Sequence, residues 1–277
     1  MMRFATHAIA SVLLFMVLSG SASNRITIKG SDTMVILVQL WTERYPGHNQ
    51  VEFQITGGGS GTGFAALINN STTLCASSRP IKKSEVAQLK ENTGYRGLEV
   101  RVARDGLSIY IHNSNPVRKL TLDQLRLIFT GKITNWKDVG GNDAKIIVYS
   151  RENNSGTYEF FKENVLQKQD FADAVQHMPG TAALINAVEK DKNAIGYGGA
   201  AYTKSVRTVA VAPSSDQPYV LPNTQTISNG SYPISRFLYF YMNHKPTGIV
   251  KSFIDWVLSA EGQRVVTDAG YYTVMKQ

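Results

Sequence analysis

The chain has 277 residues, 43% of them hydrophobic, which is enough for one large domain or two α/β units with their own cores and excludes a disordered chain. Its 29 basic and 21 acidic residues give a net charge of +8, a balance that suits an anionic ligand or surface. No run of Lys and Arg exceeds two residues, as at Lys82-Lys83, and none of the five histidines stands at metal-ligand spacing, so neither nucleic acid nor a metal or other cofactor is expected.

Met1 to Ser23 carries a basic residue, Arg3, then an apolar run from Ala8 to Leu18, then small residues, which is the layout of a cleavable secretory signal. The run is too short to span a bilayer, and no cysteine follows it to take a lipid. A soluble protein of the periplasm or cell exterior is therefore expected. The single cysteine, Cys75, permits no internal disulfide and reads as a buried, inert thiol in a strand.

Arg25 to Lys29 alternates like a strand, and Gly30-Ser31-Asp32 leads into a predicted helix from Thr33 to Tyr45 with Val35, Leu37, Val38 and Trp41 at helical spacing. Val51 to Thr56 is a second strand, and Gly57 to Gly63 opens a helix through Phe64, Leu67 and Ile68. After Cys75 to Pro80 comes a helix over Lys82 to Asn92, then two extended segments, Leu98 to Ala103 and Leu107 to Ile111. Thr121 caps a helix to Phe129, and the strand Ile146 to Tyr149 runs through Ser150 to Thr157 into a helix from Tyr158 to Leu166.

Thr181 to Lys190 is another helix, and Ala194 to Tyr197 and Arg207 to Val211 are strands. A Pro/Ser/Asn-rich stretch from Pro213 to Asn229 reads as a loop or a crossing between lobes. Phe237 to Met242 is an aromatic strand, and Thr247 to Asp268 is helical with a break near Ala260-Glu261-Gly262. This alternation implies an α/β fold with mixed or mostly parallel sheets.

Three junctions share one chemistry. Gly30-Ser31-Asp32-Thr33, Gly59-Ser60-Gly61-Thr62-Gly63 and Ser155-Gly156-Thr157 each put glycine and small hydroxyl residues at a helix mouth. There, unpaired N–H groups and the macrodipole form a seat for an anion. Any one of these loops is also an ordinary cap. Arg79 and Arg151 stand where a planar guanidinium could meet two oxygens of phosphate or sulfate, or form an ion pair instead. Asp32 is either a first-turn acid or the acceptor of a proton that phosphate keeps near neutral pH and sulfate lacks.

At these residues the sequence closely resembles the phosphate-binding proteins of ABC-type phosphate importers, the PstS family of type II periplasmic binding proteins. The likeness runs from Arg25 to Val274 and rests on Gly30 to Met34, Thr56 to Gly63, Ser77 to Ile81, Phe129 to Trp136, Arg151 with Ser155 to Thr157, and Ala194 to Gly198. It implies two lobes, each a mixed sheet flanked by helices, with a ligand cleft at the hinge. The implied lobes are 24–104 plus 236–277, and 105–235, after a signal peptide over 1–23.

The resemblance further implies a monomeric, non-enzymatic protein that captures inorganic phosphate and hands it to a membrane permease. Phosphate would be held by Ser31, Asp32 and Thr33, by Ser60, Gly61 and Thr62, by Ser78 and Arg79, and by Arg151, Ser155, Gly156 and Thr157. Some relatives place an aspartate proton acceptor where this chain has Ser78. Sulfate, molybdate or a phosphonate remain open as ligands. A secreted phosphatase is the less favoured alternative, because no Ser/His/Asp spacing is evident and the glycine-rich loop lacks a P-loop lysine.

Overall fold

The computed structural model describes residues 24–274; the expected signal segment, Met1 to Ser23, lies outside them. Strand β1 (Arg25–Gly30) alternates exposed and buried positions, turning Ile26 and Ile28 inward. It pairs in parallel with β2 (Glu52–Thr56) and β3 (Leu74–Ser77). The crossovers carry α1 (Val35–Arg44) and α2 (Ser60–Ile68), and α3 (Lys83–Thr93) follows β3.

The next strand, β4 (Leu98–Ile111), is one continuous element of 14 residues where the sequence suggests two. Arg104-Asp105-Gly106 reads as a break, yet the strand passes through. Asp105 lies opposite Arg236 on β10 (Ser235–Met242), which supplies the cross-strand partner that a carboxylate inside a sheet requires. A side chain at Gly106 would strike Pro222, so glycine is needed there for packing.

β4 pairs antiparallel with β10 along Leu98 to Gly106, then with β8 (Ala194–Gly199) and β9 (Arg207–Ala212) along Leu107 to Ile111. β6 (Ile147–Arg151) adds to β8 in parallel, β7 (Gln176–Met178) adds to β6, and β5 (Lys119–Thr121) pairs with β9. The main path is β2-β1-β3-β10-β4-β8-β6-β7.

Two large apolar cores lie along this path. One draws its buried residues from positions 26–103 and 238–271, the other from 107–234. In the first, Trp41 is fully buried and donates its indole N–H to Gly262 O at 2.8 Å. The second stacks Phe161 on Tyr197 at 3.9 Å between ring centres, with Phe129 beside both and Trp136 nearby in the same cluster. The Phe129 to Trp136 segment is thus core and turn. The aromatic strand β10 is buried in the same way, sending Leu238 and Phe240 to the first core and Tyr239 and Tyr241 to a smaller cluster with Phe64 and Cys75. Burial pushes the Cys75 thiol well above its ordinary pKa, which keeps it protonated and inert.

Local caps set several boundaries. Thr121 caps α4 (Leu122–Phe129) in a reciprocal box with Gln124. Ser155 caps α5, which begins at Gly156 and ends at Asn164, two residues earlier at each end than periodicity predicts. α6 (Thr181–Lys190) falls as predicted. The Pro213 to Asn229 stretch contains a short helix, α7 (Thr224–Ser228), capped by Asn223. The last helical region divides at Leu258-Ser259 into α8 (Gly248–Val257) and α9 (Ala260–Asp268), because the Ser259 hydroxyl accepts from the Gly262 amide and starts a new helix. Among the described residues, no helix is long and apolar enough to cross a membrane.

Candidate functional site

Two of the three glycine-hydroxyl junctions take their shape from glycine, and the third from a serine cap. After β1, Gly30 adopts φ 141°, and a methyl there would fall 2.1 Å from Ala76 O. The chain therefore runs tight against β3, and the Ser31 amide donates to Ala76 O at 2.9 Å. After β2, Gly58 and Gly59 have φ of 106° and 92°, and Gly59 lies against the Asn154 carbonyl, where a Cβ would approach to 2.6 Å. After β6, the Ser155 hydroxyl accepts from the amides of Thr157 and Tyr158 and fixes the mouth of α5.

These mouths converge. Ser31 Oγ donates to Ser78 Oγ at 3.0 Å, Ser78 Oγ lies 3.4 Å from Ser60 Oγ, and the Ser78 amide donates to Ser60 Oγ at 3.1 Å. Gly156, the first residue of α5, abuts the same serines: a Cβ there would fall 2.3 Å from Ser60 Oγ and 2.8 Å from Ser78 Oγ. Thr33 Oγ1 and Thr157 Oγ1 are 3.0 Å apart. All six hydroxyl residues, Ser31, Thr33, Ser60, Ser78, Ser155 and Thr157, are buried. α2 comes from the first-core side and α5 from the second, so two helix dipoles point at one hydroxyl cluster from opposite cores.

The junction after β1 differs from expectation. Asp32–Met34 forms a 3-10 turn and α1 proper starts at Val35, so Ser31 and Thr33 contribute hydroxyls rather than a third helix mouth. Asp32 Oδ1 accepts from the Gly58 amide at 2.9 Å, and Oδ2 accepts from Arg151 Nη2 at 2.6 Å. Arg151 also donates from Nη1 to Thr181 Oγ1 at 2.9 Å and to the carbonyls of Met178 and Pro179. The guanidinium, buried on β6, is thereby held rigidly beside the cluster with its charge balanced by Asp32 across the two cores. Tyr202 donates its hydroxyl to Asp32 O at 3.0 Å, and burial together with the Asp32 charge pushes its pKa up to about 12, so it remains a donor at neutral pH.

Three residues expected to face an anion are otherwise engaged. Arg79 forms a bidentate pair with Glu85 at 2.7 and 2.8 Å, lies 3.0 Å from Glu159 through Nε, and covers the Phe64 ring. This is the ion-pair alternative, with the guanidinium claimed by two carboxylates. The Gly61 amide, expected to meet the ligand, donates instead to Asn154 O at 2.9 Å across the cores. The Thr62 hydroxyl turns back to Gly59 O at 2.8 Å as part of its own helix start.

The fold also brings in residues that carry no motif in the sequence. Arg236 Nη2 donates to Thr157 Oγ1 at 3.0 Å, and Glu159 on α5 meets both Arg79 and Lys82 from the other core. The one available signal for Arg236 is an arginine immediately before the apolar run Phe237-Leu238, a place where a charge needs a buried partner.

The cluster offers hydroxyl and amide donors, two helix N-termini and two buried guanidiniums, Arg151 paired with Asp32 and Arg236 bonded to Thr157, and its serines bond to one another and to an amide. Such a seat can hold a small oxyanion without chemistry on it. A sequence model of the PBP superfamily domain matches residues 18–261. The phosphate-binding protein PstS of Pseudomonas aeruginosa is 36% identical over 91% of this chain and 84% of its own, and that of Staphylococcus epidermidis is 33% identical over 94% and 81%. Among solved structures, a Clostridium perfringens chain with bound phosphate, described as a phosphate ABC transporter substrate-binding protein, superposes with a TM-score of 0.83 at 33% identity, over 91% of this chain and all of that one. An ABC-type phosphate transport receptor from Vibrio cholerae gives 0.71 at 28% identity over 90% and 99%. With two helix mouths and a buried arginine gathered as such a binder needs, and with this likeness spanning nearly the whole of both chains, the chain belongs to the PstS phosphate-binding protein family of the PBP superfamily.

Proposed function

We propose that this protein captures inorganic phosphate outside the cytoplasm and delivers it to the membrane permease of an ABC importer. The observation that carries the reading is the meeting of the α2 and α5 mouths, from opposite cores, at Ser31, Ser60, Ser78, Gly156 and Thr157. An oxyanion seated there takes over the bonds these hydroxyls now make to one another. Arg151 contributes charge and an Nη1 hydrogen, and Ser155 fixes the first turn of α5 by capping the amides of Thr157 and Tyr158. Arg79 and Thr62 support the loops rather than the ligand.

Contacts across the two cores support hinge closure on the anion. The two apolar cores, from 26–103 with 238–271 and from 107–234, support lobes at the bounds expected from the sequence, and in this reading the anion bridges them together with the Asp32 to Arg151, Thr33 to Thr157 and Gly61 to Asn154 contacts. Binding energy from groups on both sides holds the closed form that the permease recognises.

Asp32 sets selectivity through Arg151. Its charge offsets the guanidinium, so the sulfate dianion loses more attraction than the phosphate monoanion, and a protonated phosphate can also donate to hydroxyl oxygens of the seat, which sulfate cannot do. Calorimetric titration with phosphate and sulfate is expected to show single-site phosphate binding and much weaker sulfate binding. Asp32→Asn is expected to lower the phosphate-to-sulfate affinity ratio by about tenfold, roughly 1.4 kcal/mol. Equal binding of the two anions by the wild type would overturn the phosphate assignment, and an unchanged ratio in the variant would remove Asp32 from selectivity.

A further inference from the structure

We infer that Arg236 is a positioning residue that makes the Thr157 hydroxyl an obligate donor toward the anion, and that ties the seat to the place where the chain crosses between cores. The inference rests on the phosphate-binding reading above. Arg236 and Asp105 face each other on β10 and β4, at the point where both strands pass from one core to the other. Their side chains are 2% and 0% exposed, and Asp105 Oδ2 accepts from Arg236 Nε at 3.0 Å and Nη2 at 2.8 Å. The other carboxylate oxygen accepts from the Ala200 amide at 3.0 Å. Asp105 thus neutralises Arg236, and the pair adds orientation to the site rather than net attraction.

The remaining donors of the guanidinium reach both sides of the seat. Nη1 donates to Ser78 O at 3.1 Å, on the first-core side, and Nη2 donates to Thr157 Oγ1 at 3.0 Å, on the second. A hydroxyl that accepts from an arginine must send its single hydrogen elsewhere. Its other neighbour in the structure is Thr33 Oγ1, and an anion oxygen in the seat is a stronger acceptor than either hydroxyl. Arg236 therefore orients Thr157 for anions without touching one. Lysine cannot do the same work, because one ammonium replaces a planar fork that spans Asp105, Ser78 and Thr157 at once.

The test is calorimetric titration with inorganic phosphate of the wild type, Arg236→Lys, Thr157→Val and the double variant, each with its melting temperature. Arg236→Lys is expected to weaken binding about tenfold to a hundredfold, the range for one charge-assisted hydrogen bond. In the Thr157→Val background it is expected to cost at most about threefold more, since its effect runs through that hydroxyl. A merely structural arginine gives additive losses. Should Arg236→Lys fail to fold, the charge-free pair Asp105→Asn with Arg236→Gln replaces it in the same cycle. Unchanged affinity, or additive losses, in a protein whose wild type binds phosphate overturns the inference alone; a wild type that takes up no phosphate overturns it together with the functional reading.

Discussion

Replacing Arg151 with methionine is expected to weaken phosphate binding by about a hundredfold or more, the consequence of truncating one partner of a buried, hydrogen-bonded charge pair. Arg151 is 1% exposed, and its guanidinium holds Asp32, Thr181 and the carbonyls of Met178 and Pro179. Methionine fills the space of the stem but leaves Asp32 half-buried with an uncompensated charge facing the seat. The anion then loses an attractive charge and meets a repulsive one, so both changes act in the same direction. Because the Asp32 to Arg151 pair also joins the two cores, the variant should remain more open at saturating phosphate, read as a larger radius of gyration in small-angle scattering. Wild-type affinity in Arg151→Met would place the anion elsewhere.

Gly156→Ala should produce a comparable loss by a different route. A methyl group at this position falls 2.3 Å from Ser60 Oγ and 2.8 Å from Ser78 Oγ, inside the hydroxyl cluster itself. Alanine suits the first turn of a helix better than glycine, so the isolated second core tolerates the change. The clash arises only where α5 meets the serines of the other side, and overpacking of this kind costs about 1–3 kcal/mol, roughly fivefold to 150-fold in affinity. The expected signature is weakened phosphate binding with an unchanged or raised melting temperature. Equal affinity with an equal melting temperature would mean that the α5 mouth does not close on the ligand.

The three junctions were legible because small residues and glycines cluster there against the periodicity of strand and helix. Ser31, Ser60 and Gly156 needed no coordinates to be singled out. What the sequence could not show is where the charges point. Arg79 carries the residue type of an anion ligand, but Glu85 six positions on and Glu159 on a distant helix capture it. Asp105 reads as a turn former until Arg236, 131 residues away, is placed opposite it, and the same pairing turns two predicted strands into one. Gly61 likewise carries an amide that looks available until Asn154 approaches from the second core. Each of these partners is set by long-range packing, which local pattern does not encode.

The most direct measurement is a crystal structure of the protein grown with inorganic phosphate. Tetrahedral density is expected within hydrogen-bonding distance of Ser31, Ser60 and Ser78 on one side and of the Gly156-Thr157 helix mouth on the other, with Arg151 beside it. Saturating phosphate bound at another surface, with the serines still bonded to one another, would contradict this placement.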